Sequence, residues 1–209
     1  MPSSRIRFLY FDLGNVLLTF DQRKAARQMA TVAGTTPEKV WDIVFESEMH
    51  DRYERGDVSS QQYYDFFCDQ SKTRPDPADL RRAASDIFTL NVPIVPIVAQ
   101  LKATGNRLGI LSNTNDAHWA FVSRGRYALL RNYFEQIVLS HEVKASKPEA
   151  AIFEAAIEAT HLPPQEIFFV DDRAENVEGA RAAGLDAVQF TTAGQLAADL
   201  RRRGVRFNY

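Results

Sequence analysis

Asp12 ends an apolar run at residues 8–11 and is followed by Leu13-Gly14-Asn15. Ser112-Asn113 closes a second such run. Ser146-Lys147-Pro148-Glu149 comes a short loop after a third, and Asp171-Asp172 ends a fourth. A carboxylate is costly to bury unless a cation or several donors face it, and open α/β sheets bind ligands at the carboxyl ends of their strands. Brought to one sheet edge, these positions would gather a hydroxyl, amides, an ammonium and three carboxylates. Taken singly, each has an ordinary explanation. Asp12 and Ser112-Asn113 suit turns, Lys147 suits a solvated position ahead of a helix, and Asp171-Asp172 suits a helix N-terminus. Their recurrence after successive strands points to a site.

The elements that must position these residues follow from periodicity and punctuation. Residues 8–11 read as a buried parallel strand. No convincing strand then appears until past residue 100. Asp21 and Gly34 bracket a helix over 22–33, and Thr36-Pro37 opens a second. Ser59 and Gln62 have capping-box spacing ahead of a third, and Asp76-Pro77 begins a fourth running to Phe88. These four amphipathic helices read as one bundle inserted after the first strand. Beyond it, strands at 107–111, 136–139, 166–170 and 186–190 alternate with helices at 94–102, 116–122, 127–134, 148–160, 174–183 and 193–203. That alternation predicts an α/β fold with a parallel sheet covered on both faces.

The 209 residues carry 25% charged and 45% hydrophobic side chains with a net charge of -2, which gives no reason to expect nucleic acid or an anionic membrane as partner. The basic run Arg201-Arg202-Arg203 suits a solvated helix terminus. Cys68 is the single cysteine, so no intrachain disulfide forms and a reducing compartment is expected. The one apolar N-terminal stretch is interrupted by Asp12 and Gly14 and is too short to span a membrane. The chain is read as cytoplasmic, with its oligomeric state open.

Phe11-Asp12-Leu13-Gly14-Asn15-Val16, Leu111-Ser112-Asn113, Ser146-Lys147-Pro148 and Val170-Asp171-Asp172 with Asn176 resemble, in order and spacing, the four motifs of the haloacid dehalogenase (HAD) superfamily. Within it the likeness is to glucose-1-phosphate phosphatase type enzymes, favoured by Asp-Leu-Gly-Asn and by Glu54-Arg55-Gly56, and to the phosphatase domain of soluble epoxide hydrolase. The resemblance implies a Rossmann-like core over residues 1–18 and 91–209, with a helical cap over 19–90. It implies a Mg²⁺-dependent phosphatase acting on a small phosphorylated metabolite such as a sugar phosphate, through an aspartyl-phosphate intermediate. Asp12 would be nucleophile and metal ligand, and the Gly14 carbonyl a second ligand. Asp172 would be the main acidic ligand, with Asp171 binding through water or holding the site together. Ser112 and Asn113 would donate to phosphoryl oxygens, and Lys147 would neutralise charge between Asp12 and phosphate.

One departure stands out. Most phosphatases of this superfamily carry an aspartate two residues after the nucleophile as general acid and base, and here that position is Gly14. Without the acid, reactivity should depend steeply on the leaving group. His50, Asp51, Tyr53 and Glu54, which cluster at a helix end in the cap, are the nearby candidates to replace that acid, although a solvated polar face is the favoured reading of the four. Two other readings stay open. One is a 2-haloacid dehalogenase, which needs no metal and no acid for its leaving group. The other is a non-catalytic member binding a phosphorylated ligand or a protein.

Overall fold

The computed structural model describes residues 5–208. Strand β1 (Phe8–Phe11) is buried at every position. The chain turns back into a short strand β2 (Leu18–Phe20) and then enters five helices. The Asp21 side chain accepts from the Lys24 amide to open α1 (Gln22–Ala33), and Gly34 closes it in the left-handed conformation. Thr36 and Pro37 start α2 (Pro37–Val44). Helix α3 (Glu48–Arg55) is followed by α4 (Ser60–Ser71), whose Ser59–Gln62 capping box forms as its spacing predicts. Asp76 caps α5 (Pro77–Ser85).

Strand β3 (Phe88–Leu90) runs antiparallel to β2 and returns the chain to the sheet. Then follow α6 (Val95–Ala103), β4 (Arg107–Ser112), α7 (Asp116–Ser123), α8 (Ala128–Asn132), β5 (Gln136–Leu139) and α9 (Ser140–Val143). The last elements are α10 (Ala150–Thr160), β6 (Ile167–Asp171), α11 (Ala174–Ala182), β7 (Asp186–Gln189) and α12 (Ala193–Arg202).

The five long-range strands pair in parallel in the order β5-β4-β1-β6-β7. The fold is therefore the expected α/β architecture, a parallel sheet flanked by helices. Alternate residues serve opposite faces. Leu9, Phe11, Ile110 and Val170 pack with α6 and α12, whereas Phe8, Tyr10, Phe169 and Val138 pack with α10 and α11. The chain moves from β1 outward to β4 and β5, then crosses back to β6 on the other side. This reversal opens a crevice at the carboxyl ends of β1, β4 and β6. A third cluster, including Met29, Val40, Phe67 and Leu80, is formed by the five-helix segment alone.

Several elements differ from the expectation. β2 and β3 were not expected, because three residues each are too few to show a period-two pattern. The helical segment has five helices, not four. The additional one, α3, buries only Tyr53 and so has almost no apolar stripe, but Glu48 and Asp51 lie in its first turn and Arg52 and Arg55 in its last, complementing the helix dipole, with Glu54 in the last turn the exception. The helix expected over 148–160 begins at Ala150, because residues 146–149 form a turn closed by the Glu149 amide on the Ser146 carbonyl. The loop expected after β5 contains the short helix α9. No helix among the described residues is long and apolar enough to cross a membrane.

Candidate active site

The loops after β1, β4, β5 and β6 bring the sequence-predicted residues together. Asp12 leaves the central strand with its amide donating to the Val170 carbonyl at 2.9 Å, which ties the β1 end to β6. Lys147 lies between the strand ends with its side chain 1% exposed. Its ammonium donates to Asp12 Oδ1 at 2.7 Å, Asp171 Oδ2 at 2.5 Å and the Leu111 carbonyl at 3.0 Å, so all three hydrogens are committed. Lys147 is thus a buried partner of two acids rather than a solvated side chain. Burial alone would push its ammonium down, but the carboxylates of Asp12 and Asp171 outweigh burial and hold it above the usual lysine range.

Asn113 grips the backbone of Lys147 at both ends. Its Nδ2 donates to the Lys147 carbonyl at 3.0 Å and its Oδ1 accepts from the Lys147 amide at 2.8 Å. The Asn113 side chain is therefore occupied in setting the lysine. Ser112 is buried at the end of β4, and its hydroxyl makes only a long bond of 3.3 Å to the neighbouring Asn113 carbonyl.

The two acids after β6 differ in surroundings. Asp171 is fully buried and accepts from the Arg173 amide at 2.9 Å, from Asn176 Nδ2 at 3.0 and 3.1 Å, and from Lys147. Asp172 is half-buried, and Oδ2 accepts from Asn15 Nδ2 at 3.0 Å. Asp12, Asp171 and Asp172 each offer an oxygen within 4.8 Å of the others. Burial pushes the Asp12 carboxyl up to about 7, with Lys147 opposing the rise and the charges of Asp171 and Asp172 adding to it. Three carboxylates face one ammonium here, and such an excess of buried negative charge suits a cation.

Asp12, Ser112, Asn113, Lys147 and Asp172 form the floor of a cavity of about 460 Å³, and most of its walls come from the five-helix segment. Aromatic and aliphatic side chains such as Phe20, Phe45, Tyr63 and Leu80 line it, together with His50, Tyr53, Glu54 and His118. The solvated polar face expected at 50–54 is therefore corrected. Asp51 is exposed, but Tyr53 is buried and Glu54 keeps only 26% of its side-chain surface accessible. The reason is the docking of α3. The Glu54 carbonyl accepts from Ser140 Oγ at 2.5 Å, Tyr53 Oη donates to Asp116 Oδ1 at 2.5 Å, the Gly56 carbonyl accepts from Lys144 Nζ, and Arg55 pairs with Glu149. Sequence reading missed these docking partners and the Asn15–Asp172 bond. Asn15 beside Gly14 was the one local signal, whereas the α3 contacts join residues more than 60 positions apart.

The sequence profile of haloacid dehalogenase-like hydrolases matches residues 6–184. The chain is 24% identical over 191 residues to D-ribitol-5-phosphate phosphatase of Bacteroides thetaiotaomicron, covering 88% of this chain and 91% of that one. Its fold superposes on the magnesium complex of a HAD family enzyme from Bacteroides thetaiotaomicron with a TM-score of 0.78, at 26% identity, over 94% of this chain and 98% of that one. L-2-haloacid dehalogenase from Xanthobacter autotrophicus gives a TM-score of 0.62 at 19% identity, over 94% and 83% of the two chains, a likeness of fold alone.

Proposed function

The chain belongs to the haloacid dehalogenase-like hydrolase family, and we propose that within it the protein is a Mg²⁺-dependent phosphatase that hydrolyses a small phosphorylated metabolite through an aspartyl phosphate on Asp12. The observation that supports this reading is the cluster of Asp12, Asp171 and Asp172 at the base of the cavity, with the first two bonded to the ammonium of Lys147. A halide leaving as an anion from an uncharged carbon does not call for a third carboxylate there, whereas a dianionic phosphate approaching Asp12 calls for positive charge.

In the first step a carboxylate oxygen of Asp12 attacks phosphorus as the ester P–O bond breaks, and in the second water attacks the aspartyl phosphate and releases inorganic phosphate. Lys147 holds Asp12 in place and offsets the repulsion between two anions. The Ser112 hydroxyl and the Asn113 backbone amide donate to the phosphoryl oxygens. Asn113's side chain acts through the lysine it grips. Asp12, the Gly14 carbonyl and Asp172 would hold the magnesium ion. Asp171, with both oxygens already accepting hydrogen bonds, holds the site together or binds through water. When bound, the ion supplies positive charge that stabilises the phosphoryl oxygens during transfer. Residues 19–90 are taken as a cap domain over a core of residues 1–18 and 91–209, and the cavity walls they provide select the substrate. The ribitol-phosphate activity of the Bacteroides relative favours a sugar or polyol phosphate.

The test is a panel of phosphorylated metabolites and 2-haloacids, each assayed with Mg²⁺ and with chelator. Phosphate release that chelator abolishes and Mg²⁺ restores is expected, with Asp12→Asn and Asp172→Ala both folded and inactive. Haloacid hydrolysis indifferent to chelator would overturn the reading in favour of a dehalogenase.

A further inference from the structure

Cleavage of an alkyl phosphate produces an alkoxide, which at neutral pH needs a proton as it leaves. The floor of the site has none to give. Asp12 is the proposed nucleophile, Gly14 has no side chain, and each hydrogen of Lys147 is held by Asp12, Asp171 or Leu111. Asp171 accepts hydrogen bonds on both oxygens and Asp172 is a candidate cation ligand. Among the groups on the cavity wall, His118 is pushed down to about 4, chiefly by burial and also by neighbouring His50, and is neutral at pH 7. Tyr63 is pushed up by burial, away from the neutral range in which proton transfer is efficient. Asp51 is exposed.

Glu54 differs from all of these. It lines the same cavity as Asp12 and Lys147. Burial raises its carboxyl above the usual glutamate range, with His50 and, more weakly, Arg173 and Lys147 opposing the rise and Asp51 adding to it. Its position is fixed. The Glu54 carbonyl accepts from Ser140, and the next two residues are held by Glu149 and Lys144, all in the segment that ends in Lys147 and Glu149. Ser140 Oγ also accepts from the amide of Thr114, in the loop that carries Asn113. The backbone that bears Glu54 is therefore built onto the same loops as the phosphate-facing residues.

We propose that Glu54 is the proton donor to the leaving oxygen and the proton acceptor from the attacking water. This rests on the phosphatase reading above. As Asp12 bonds to phosphorus and the P–O bond to the organic group breaks, the Glu54 proton passes to that oxygen, releasing an alcohol and leaving Glu54 ionised. Water then gives its proton back to Glu54 as its oxygen attacks phosphorus, and the bond from phosphorus to Asp12 breaks. Both groups return to their starting states. This replaces the steep leaving-group dependence expected from Gly14 alone.

The experiment is a series of phosphate esters running from 2,4-dinitrophenyl phosphate to a simple alkyl phosphate, read by steady-state and rapid-quench kinetics in native protein and in Glu54→Gln. Native protein should show a shallow dependence on leaving group and no burst. Glu54→Gln should lose about 10²- to 10⁴-fold on the alkyl ester while still reacting fast with the dinitrophenyl ester, and should accumulate close to one phosphoenzyme per site. A variant that slows both ends of the series equally, or gives no burst, overturns the proposal. So does native protein with a steep dependence and a full burst, a result that needs no variant. Phosphoenzyme on Asp12 in either protein upholds the phosphatase reading whatever Glu54 does, and hydrolysis of no ester at all overturns both.

Discussion

At the scale of single residues, the candidate site is a set of charges that fold only because they face one another. Lys147 and Asp171 would each be costly alone in the interior, and each is satisfied by the other, the lysine also by the Leu111 carbonyl and the aspartate by the Arg173 amide. Glu54 is compensated only in part, by His50 Nε2 at 3.5 Å, and shows the converse. Its raised carboxyl means that ionisation is harder in the folded state than in the unfolded one. The penalty is absent below the ordinary glutamate pKa of about 4.3, and native stability is lost as pH rises from there through the folded value. Glu54→Gln should therefore raise the melting temperature relative to native protein at pH 8 and raise it little or not at all at pH 4. Melting curves across that range check the sign, and a variant equally stabilised at both ends would show that burial does not raise the Glu54 carboxyl.

At the scale of elements, α3 is polar along most of its length and is kept in place by its docking to the sheet loops rather than by an apolar stripe of its own. Gly56 is the tightest point. It has φ of 78°, and a Cβ there would run into the backbone carbonyl of His141 in α9. Gly34 at the end of α1 has a similar φ of 64° but open space around it. Both Gly→Ala changes carry the left-handed penalty of about 1–2 kcal/mol, and only Gly56→Ala must also lift α3 from α9. We expect Gly34→Ala to lower the melting temperature and leave kcat unchanged. Gly56→Ala should lower both, with kcat falling on the order of 10²-fold from misplaced cavity groups. Equal kcat in the two variants would mean that the docking of α3 does not matter to the reaction.

At the scale of the molecule, the loops of the sheet supply the floor of the cavity and the five-helix segment supplies most of its walls, each with its own apolar cluster. A cation bound at the floor has no counterpart site in the unfolded chain, so binding adds to folding stability. Mg²⁺ at about 100 times its dissociation constant should stabilise the protein by about 2.7 kcal/mol, read as a rise in melting temperature that chelator reverses. Asp172→Ala should abolish the rise. A rise of the same size in that variant would place the ion elsewhere.

The local code determined much of this. Helix starts at Asp21, Thr36, Ser59 and Asp76 could be read because a cap and its helix are neighbours in sequence, and the capping bonds form as spelled. The parallel strands were legible as apolar runs, and the candidate site residues at their ends as polar breaks in those runs. What tertiary structure alone decided involves residues far apart in the chain. The fully committed ammonium of Lys147 depends on partners 24 and 135 positions away. The grip of the Asn113 side chain on the Lys147 backbone joins residues 34 positions apart. Glu54 turned from a presumed surface acid into a cavity wall because Ser140, 86 residues on, accepts the task of holding its backbone. Periodicity records which face of a helix is apolar. It carries no information on which loop a polar helix such as α3 will dock against, since that is fixed by hydrogen bonds that exist only once the strands have paired.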